Sequence, residues 1–148
     1  MSFLSDDPTR TLPHRHPFLW VTRLISRNDS GTEGVCELDV KADWEIFKGH
    51  FPSKPIFPGV LQVEAAAQAC AWIHFGVLAP GSKNPDVLFV AIDSYKFKRP
   101  VVPPATLSFH LKQDQVRGPL QLWSIEVNMK TGADSQTVGV GRFWVRMA

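Results

Sequence analysis

Residues 49–68 read Gly49-His50-Phe51-Pro52-Ser53-Lys54-Pro55-Ile56-Phe57-Pro58-Gly59-Val60-Leu61-Gln62-Val63-Glu64-Ala65-Ala66-Ala67-Gln68. Two kinds of backbone meet in this stretch. Pro52, Pro55 and Pro58 forbid a regular helix and stiffen the chain, since each fixes φ and removes an N–H donor. From Val60 to Leu78 there is no proline, and the only glycine is Gly76, near the end. Ala79-Pro80-Gly81 then supplies a stop signal. The stretch predicts a rigid loop that runs straight into one long helix, Val60 to Leu78. That helix is apolar on nearly every side, so it needs cover all round.

The cover comes from the rest of the chain. Upstream, Glu33 to Val40 sets Val35, Glu37 and Asp39 opposite Cys36, Leu38 and Val40, a strand pattern. Downstream lie four strand-like runs: Val87 to Arg99, Thr106 to Gln113, Gln121 to Met129 and Thr137 to Val145. Leu107, Phe109 and Leu111 alternate with Ser108, His110 and Lys112, the period of a half-buried strand. Asp114 to Pro119 and Lys130 to Gln136 carry the glycines and polar residues of hairpin connections. Leu12 to Ile25 is mixed, and the segment to Thr11 reads as tail or loop. The expected architecture is α+β, a single domain over residues 1–148 in which a strongly curved antiparallel sheet wraps a long central helix.

Composition narrows the function classes. The chain has 148 residues, 44% hydrophobic and 20% charged, with a net charge of +2. That charge gives no reason to expect nucleic-acid binding. Val60 to Ala79 is long enough to span a membrane, but Gln62, Glu64, Gln68 and His74 interrupt it with polar groups that are costly in lipid. No signal peptide is read at the N-terminus. Cys36 and Cys70 form no metal spacing, and a reduced, cytoplasmic setting is expected. His14 and His16 lack the acidic or cysteine companions a metal site needs, so no metal is expected.

The chemistry concentrates at the loop and helix start. A helix start presents unpaired N–H groups and the positive end of the macrodipole, here at Gly59 and Val60. Gly59 carries no side chain to keep a ligand off the backbone. His50, just before the loop, is a titratable base. Glu64 lies one turn into an apolar helix, where burial favours the protonated acid. Gln68 is four residues on and shares its face, so it is placed to orient the Glu64 carboxyl. A base, an acid and an oxyanion site together suit proton abstraction next to a carbonyl.

Three blocks resemble one family. Gly49-His50-Phe51-Pro52 with Pro55, Pro58-Gly59-Val60-Leu61 and Glu64-Ala65-Ala66-Ala67-Gln68 resemble the signature of the 3-hydroxyacyl-acyl carrier protein dehydratases, in the branch with glutamate on the helix. Leu12-Pro13-His14-Arg15-His16-Pro17-Phe18-Leu19 resembles the N-terminal motif of that branch. Asp93 and Lys96-Phe97-Lys98-Arg99-Pro100-Val101 resemble its later strand motif. The resemblance implies a hotdog fold and a homodimer with active sites at the subunit boundary. It implies that His50 works with Glu64 of the other subunit and that the Gly59 N–H binds the thioester oxygen. The implied reaction takes water from a (3R)-3-hydroxyacyl thioester to give a trans-2-enoyl thioester, in fatty-acid or related acyl-chain synthesis. The implied partner is an acyl carrier protein. No metal or organic cofactor is implied beyond its phosphopantetheine arm.

Further expectations attach to this reading. Phe51, Phe57 and Trp20 are candidates to line an acyl tunnel. Lys54, Lys96, Lys98 and Arg99 form a candidate basic patch for an acidic carrier, with Phe97 turned inward between Lys96 and Lys98. The chain departs from the family at His16 (usually tyrosine), Trp20 and Thr22 (leucine and aspartate), Ser53 (glycine) and Pro104-Ala105 (Gly-Asp). None of these removes His50 or Glu64. Two rival readings fit the same fold: a thioester hydrolase or a hydratase running the other way, and a non-catalytic subunit that pairs with an active homologue, against which the intact His50 and Glu64 argue.

Overall fold

The strands and helix follow from where apolar residues can be buried together, and a computed structural model describes residues 4–148. In chain order the elements are β1 (Arg23–Arg27), β2 (Glu33–Val40), α1 (Gly59–Phe75), β3 (Val87–Phe97), β4 (Ala105–Arg117), β5 (Leu120–Thr131) and β6 (Asp134–Met147). Short 3-10 turns cover Pro8–Arg10 and Glu45–Lys48. The strands form one six-stranded sheet in the order β1-β2-β4-β5-β6-β3, antiparallel at every pairing.

The helix α1 lies against one face of that sheet. Ala65, Ala66, Ala69 and Ala71 are fully buried, and such small side chains let the helix axis approach the strands closely. The core is completed by Leu38, Phe109, Trp123 and Phe143 from the sheet, with Trp72 from the helix. This is the α+β architecture expected above. No helix among the described residues is long and apolar enough to cross a membrane.

Several local expectations are corrected. The helix ends at Phe75, not at Leu78. Gly76 takes φ +65 and ψ −153, a backbone conformation reserved for glycine, and its N–H returns to the Trp72 carbonyl at 2.8 Å. The stop thus precedes Pro80. β1 begins inside the mixed segment and runs two residues beyond it, paired with β2 through Leu24↔Cys36, so two strands precede the helix. Of the two alternatives for the segment to Thr11, the described part takes the loop: Thr9 to Thr11 belong to a capped turn and its exit, and Thr11 and Leu12 are fully buried. The last strands run further than their alternation shows. They meet in two-residue turns at Gly118-Pro119 and Gly132-Ala133, and ladder hydrogen bonds continue through solvent-facing polar residues that carry no periodic signal.

Candidate functional site

The loop before α1 is held by its own backbone. His50 donates its N–H to Ile46 O at 2.9 Å, and Ile56 donates back to His50 O at 3.0 Å. Phe51 and Lys54 exchange backbone hydrogen bonds at 3.2 and 3.0 Å, and Phe57 N–H reaches Val101 O at 2.8 Å. The His50–Phe51 peptide bond is cis. His50 is half-buried, and its ring stacks on Phe51 with centroids 4.1 Å apart. Its Nδ1 lies 2.8 Å from Ile56 O. A carbonyl oxygen only accepts, so Nδ1 is the donor and Nε2 keeps a free lone pair. That is the arrangement a general base requires.

The helix start is open. Pro58 offers no side-chain cap, and the first amides to pair are Leu61 and Gln62, both to Pro58 O. Among the described residues neither the Gly59 nor the Val60 N–H has an acceptor. Packing supplies a further reason for glycine at position 59. A Cβ there would meet the Phe97 ring at 2.7 Å. What stays open is the N–H groups themselves.

Phe97 does turn toward the helix, but it remains 55% exposed, as do most residues of the edge strand that carries it. Lys96 and Lys98 share the opposite, open face of the sheet, in a groove with Lys112 and Arg142. Lys54 and Arg99 are exposed.

Glu64 sits on α1 with its side chain 19% exposed. Gln68 donates from Nε2 to Glu64 Oε1 at 3.1 Å, the i to i+4 contact the spacing predicts. Gln68 is itself pinned, its Oε1 accepting the Trp20 N–H and its Nε2 donating to Phe18 O, both at 2.9 Å. Within the chain no hydrogen bond or ion pair among the described residues joins His50 to Glu64. Trp20 and Phe57 are buried and meet edge to face at 6.0 Å, in a cluster with Trp44. Phe51 lies apart from that cluster, on His50.

Two neighbours escaped the sequence reading. His14 Nε2 stands 3.5 Å from Glu64 Oε1. Tyr95 reaches across the core to hydrogen-bond Gln62 on α1. His14 lies inside a block already singled out, but nothing in its local pattern says which helix residue it faces. No group of three His, Cys, Asp or Glu side chains among the described residues is arranged to hold a metal ion.

Comparison with known proteins agrees with this geometry. Residues 12–139 match the FabA-like domain family model. The chain is 41% identical over 107 residues to the 3-hydroxyacyl-acyl-carrier-protein dehydratase FabZ of Idiomarina loihiensis, covering 72% of this chain and 70% of that protein. It is 39% identical over 129 residues to the enzyme of the same name from Sinorhizobium fredii, covering 87% of this chain and 79% of that one. Among solved structures it resembles the dehydratase heterocomplex ApeI:P from Xenorhabdus doucetiae, with a TM-score of 0.53 and 26% identity over 83% of this chain and 96% of that chain. A match of this length spans His50, Gly59 and Glu64 together with the strands that carry the site, and the chain belongs to the FabA-like, 3-hydroxyacyl-acyl carrier protein dehydratase family of hotdog proteins.

Proposed function

We propose that the chain removes water from (3R)-3-hydroxyacyl thioesters carried on acyl carrier protein, giving trans-2-enoyl thioesters for fatty-acid or related acyl-chain synthesis. The observation that carries this reading is the open helix start between a base with a free lone pair and a carboxyl on an apolar helix. The thioester oxygen accepts from Gly59 and Val60, where negative charge grows as the C2 proton leaves. His50 Nε2 takes that proton. The electron pair it leaves forms the C2–C3 double bond, the C3–O bond breaks, and Glu64 protonates the departing hydroxyl to give water. His50 ends protonated and Glu64 ends as carboxylate, and exchange with solvent restores both. Trp20, Phe57 and Phe51 border the acyl path in this reading. It needs no metal or organic cofactor beyond the carrier's phosphopantetheine arm. The free, buried Cys36 and Cys70 suit the reducing cytoplasm we assign to it.

We further propose that the site is shared between two copies. β3 is an edge strand with no neighbour on its outer side among the described residues, and Phe89, Val90, Ile92 and Phe97 along it are exposed. Val60, at the helix start, is 74% exposed. An apolar unpaired edge of this length invites a second strand, and a twofold axis lets two β3 edges satisfy each other. Glu64 rises roughly 7 Å along the helix from Gly59, so a partner helix can bring its carboxyl to His50 as readily as the chain's own.

The test is complementation. His50→Ala and Glu64→Ala proteins are mixed, unfolded and refolded together, and dehydration of a carrier-linked 3-hydroxyacyl substrate is followed as loss of water by mass spectrometry. Random pairing makes about half the dimers mixed, each with one intact site, so activity returns to about a quarter of wild type. Exchange of subunits with no returning activity defeats the shared site. Release of free thiol in place of water defeats dehydration in favour of hydrolysis. The related ApeI:P dehydratase is a heterocomplex. Turnover only after a homologous subunit is added would replace the second copy with such a partner.

A further inference from the structure

We infer that His14 is a positioning residue for Glu64, one that turns the carboxyl so that its acidic proton sits on Oε2. The inference rests on the assignment of Glu64 as the acid made above. Three observations lead to it. His14 Nε2 lies 3.5 Å from Glu64 Oε1, with both side chains largely buried. Gln68 Nε2 donates to that same oxygen. His14 Nδ1 is buried and has no hydrogen-bond partner among the described residues.

The third observation settles the direction of the first. A proton on Nδ1 would be buried with nothing to accept it, which is strongly unfavourable. The ring proton therefore sits on Nε2, facing Glu64. Oε1 then accepts one hydrogen bond, from Gln68, and has a second N–H, that of His14 Nε2, within 3.5 Å, and an oxygen so surrounded is the acceptor oxygen of a protonated carboxyl. The acidic proton is left on Oε2. When the C3–O bond breaks, that proton passes from Oε2 to the leaving hydroxyl, and the carboxylate that remains already has two donors in place. The His14 contact is long for a hydrogen bond, and catalytic contacts of this kind tighten when substrate binds.

The arrangement is built from the first part of the chain. Gln68 binds the backbone at Phe18 and Trp20, so the segment carrying His14 is fastened along the same face of α1 as Glu64. Arg15, next to His14, turns away and donates to Leu12 O and His14 O, both at 2.7 Å. Its charge is spent on backbone carbonyls of its own segment.

Two measurements on the intact protein test this. The first is nitrogen-15 NMR of histidine-labelled protein, assigned with a His14 variant. The expected result is a proton on His14 Nε2 and a bare Nδ1. A proton on Nδ1 overturns the inference. The second is kinetic. His14→Phe keeps the ring and loses the donor, and kcat should fall about tenfold with KM unchanged, the worth of one hydrogen bond to a carboxyl. His14→Gln places an amide N–H near the Nε2 position and should recover most of that loss. His14→Phe added to Glu64→Gln should cost nothing more than Glu64→Gln alone, because His14 acts only through Glu64. A raised KM with unchanged kcat, or a full second loss in the double variant, overturns it. Fully active His14→Phe beside inactive Glu64→Gln sinks this inference alone, whereas fully active Glu64→Gln sinks the assignment of Glu64 and this inference with it. The NMR result and His14→Gln decide the matter even if His14→Phe does not fold.

Discussion

The two ends of α1 are finished in opposite ways. At its last turn nearly every group is satisfied. Arg27 Nε donates to Ile73 O at 2.7 Å, its Nη2 reaches His74 O at 3.3 Å, and the Thr11 hydroxyl donates to Gly76 O. His74 Nδ1 meets Gly31 O at 3.1 Å. The cationic guanidinium also sits at the negative end of the helix dipole, where it is stabilising. At the first turn there is no side-chain cap, and two N–H groups have no acceptor among the described residues. A helix that needs capping for stability receives it at one end only. The other end holds its donors in reserve beside His50, and the difference separates stability from chemistry along a single element.

The sharpest way to break this comparison is at the open end. His50→Ala and Glu64→Ala should each lower kcat by ~10²–10⁴, the worth of a positioned acid or base, while melting temperatures stay near wild type. Folded variants with near-full turnover would mean that the open end is merely unfinished.

The closed end should respond the other way. Gly76→Ala puts a side chain at φ +65, with its Cβ 3.2 Å from the Arg27 guanidinium carbon. It should cost ~1–3 kcal/mol of stability, the usual range for a strained backbone position, and leave kcat unchanged at temperatures where the protein is folded. Denaturant unfolding beside steady-state turnover checks both halves. Loss of turnover in fully folded protein would show that the two ends are coupled.

A network remote from both ends supplies the control. Arg23 binds Glu37 at 2.8 Å and Asp39 at 2.5 Å, and Lys130 binds Glu37 at 2.6 Å. The Arg23 hydrogen bond holds the Asp39 carboxyl below its ordinary range. Burial pulls Glu37 up, but Lys130 and Arg23 together outweigh it and leave it lowered too. Carboxylates lowered in the folded state contribute stability above their ordinary range and lose it as pH falls through the folded values. Arg23→Met should therefore cost about 1 kcal/mol at neutral pH, and the gap to wild type should close under acid. A gap that is constant down to the acid limit would assign the cost to packing instead.

The smallest effect concerns the approach to the open end. If Lys54, Lys96, Lys98 or Arg99 meets an acidic carrier, raising salt should increase KM a few-fold for the carrier-linked substrate and little for a short thioester mimic, since exposed charges are screened within ~8 Å at physiological salt. Equal salt responses would remove these residues from docking and leave the first turn with its backbone amides alone.

Much of this molecule can be read without coordinates, because the signals are local. Proline spacing marks the loop before α1, and two-residue alternation marks β2 and the later strands. The spacing of Glu64 and Gln68 predicts their contact, since four residues bring two side chains together on any helix. His50, Gly59 and Glu64 fall in blocks whose order alone identifies the family. The features that needed the fold all depend on residues far apart in the chain. The helix stops at Gly76 in a conformation only glycine adopts freely, a local signal that the expectation of a helix to Leu78 passed over, and Thr11 and Arg27 then arrive from far along the chain to take its last carbonyls. β1 is a strand because β2 pairs with it, not because its own pattern alternates. Gly59 must be glycine because Phe97 lies across it, and His14 comes to Glu64 because Gln68 fastens its segment to the helix. Periodicity and turn chemistry act over a few residues and so are written in the chain itself. Which distant side chains touch is settled only when the sheet closes around the helix.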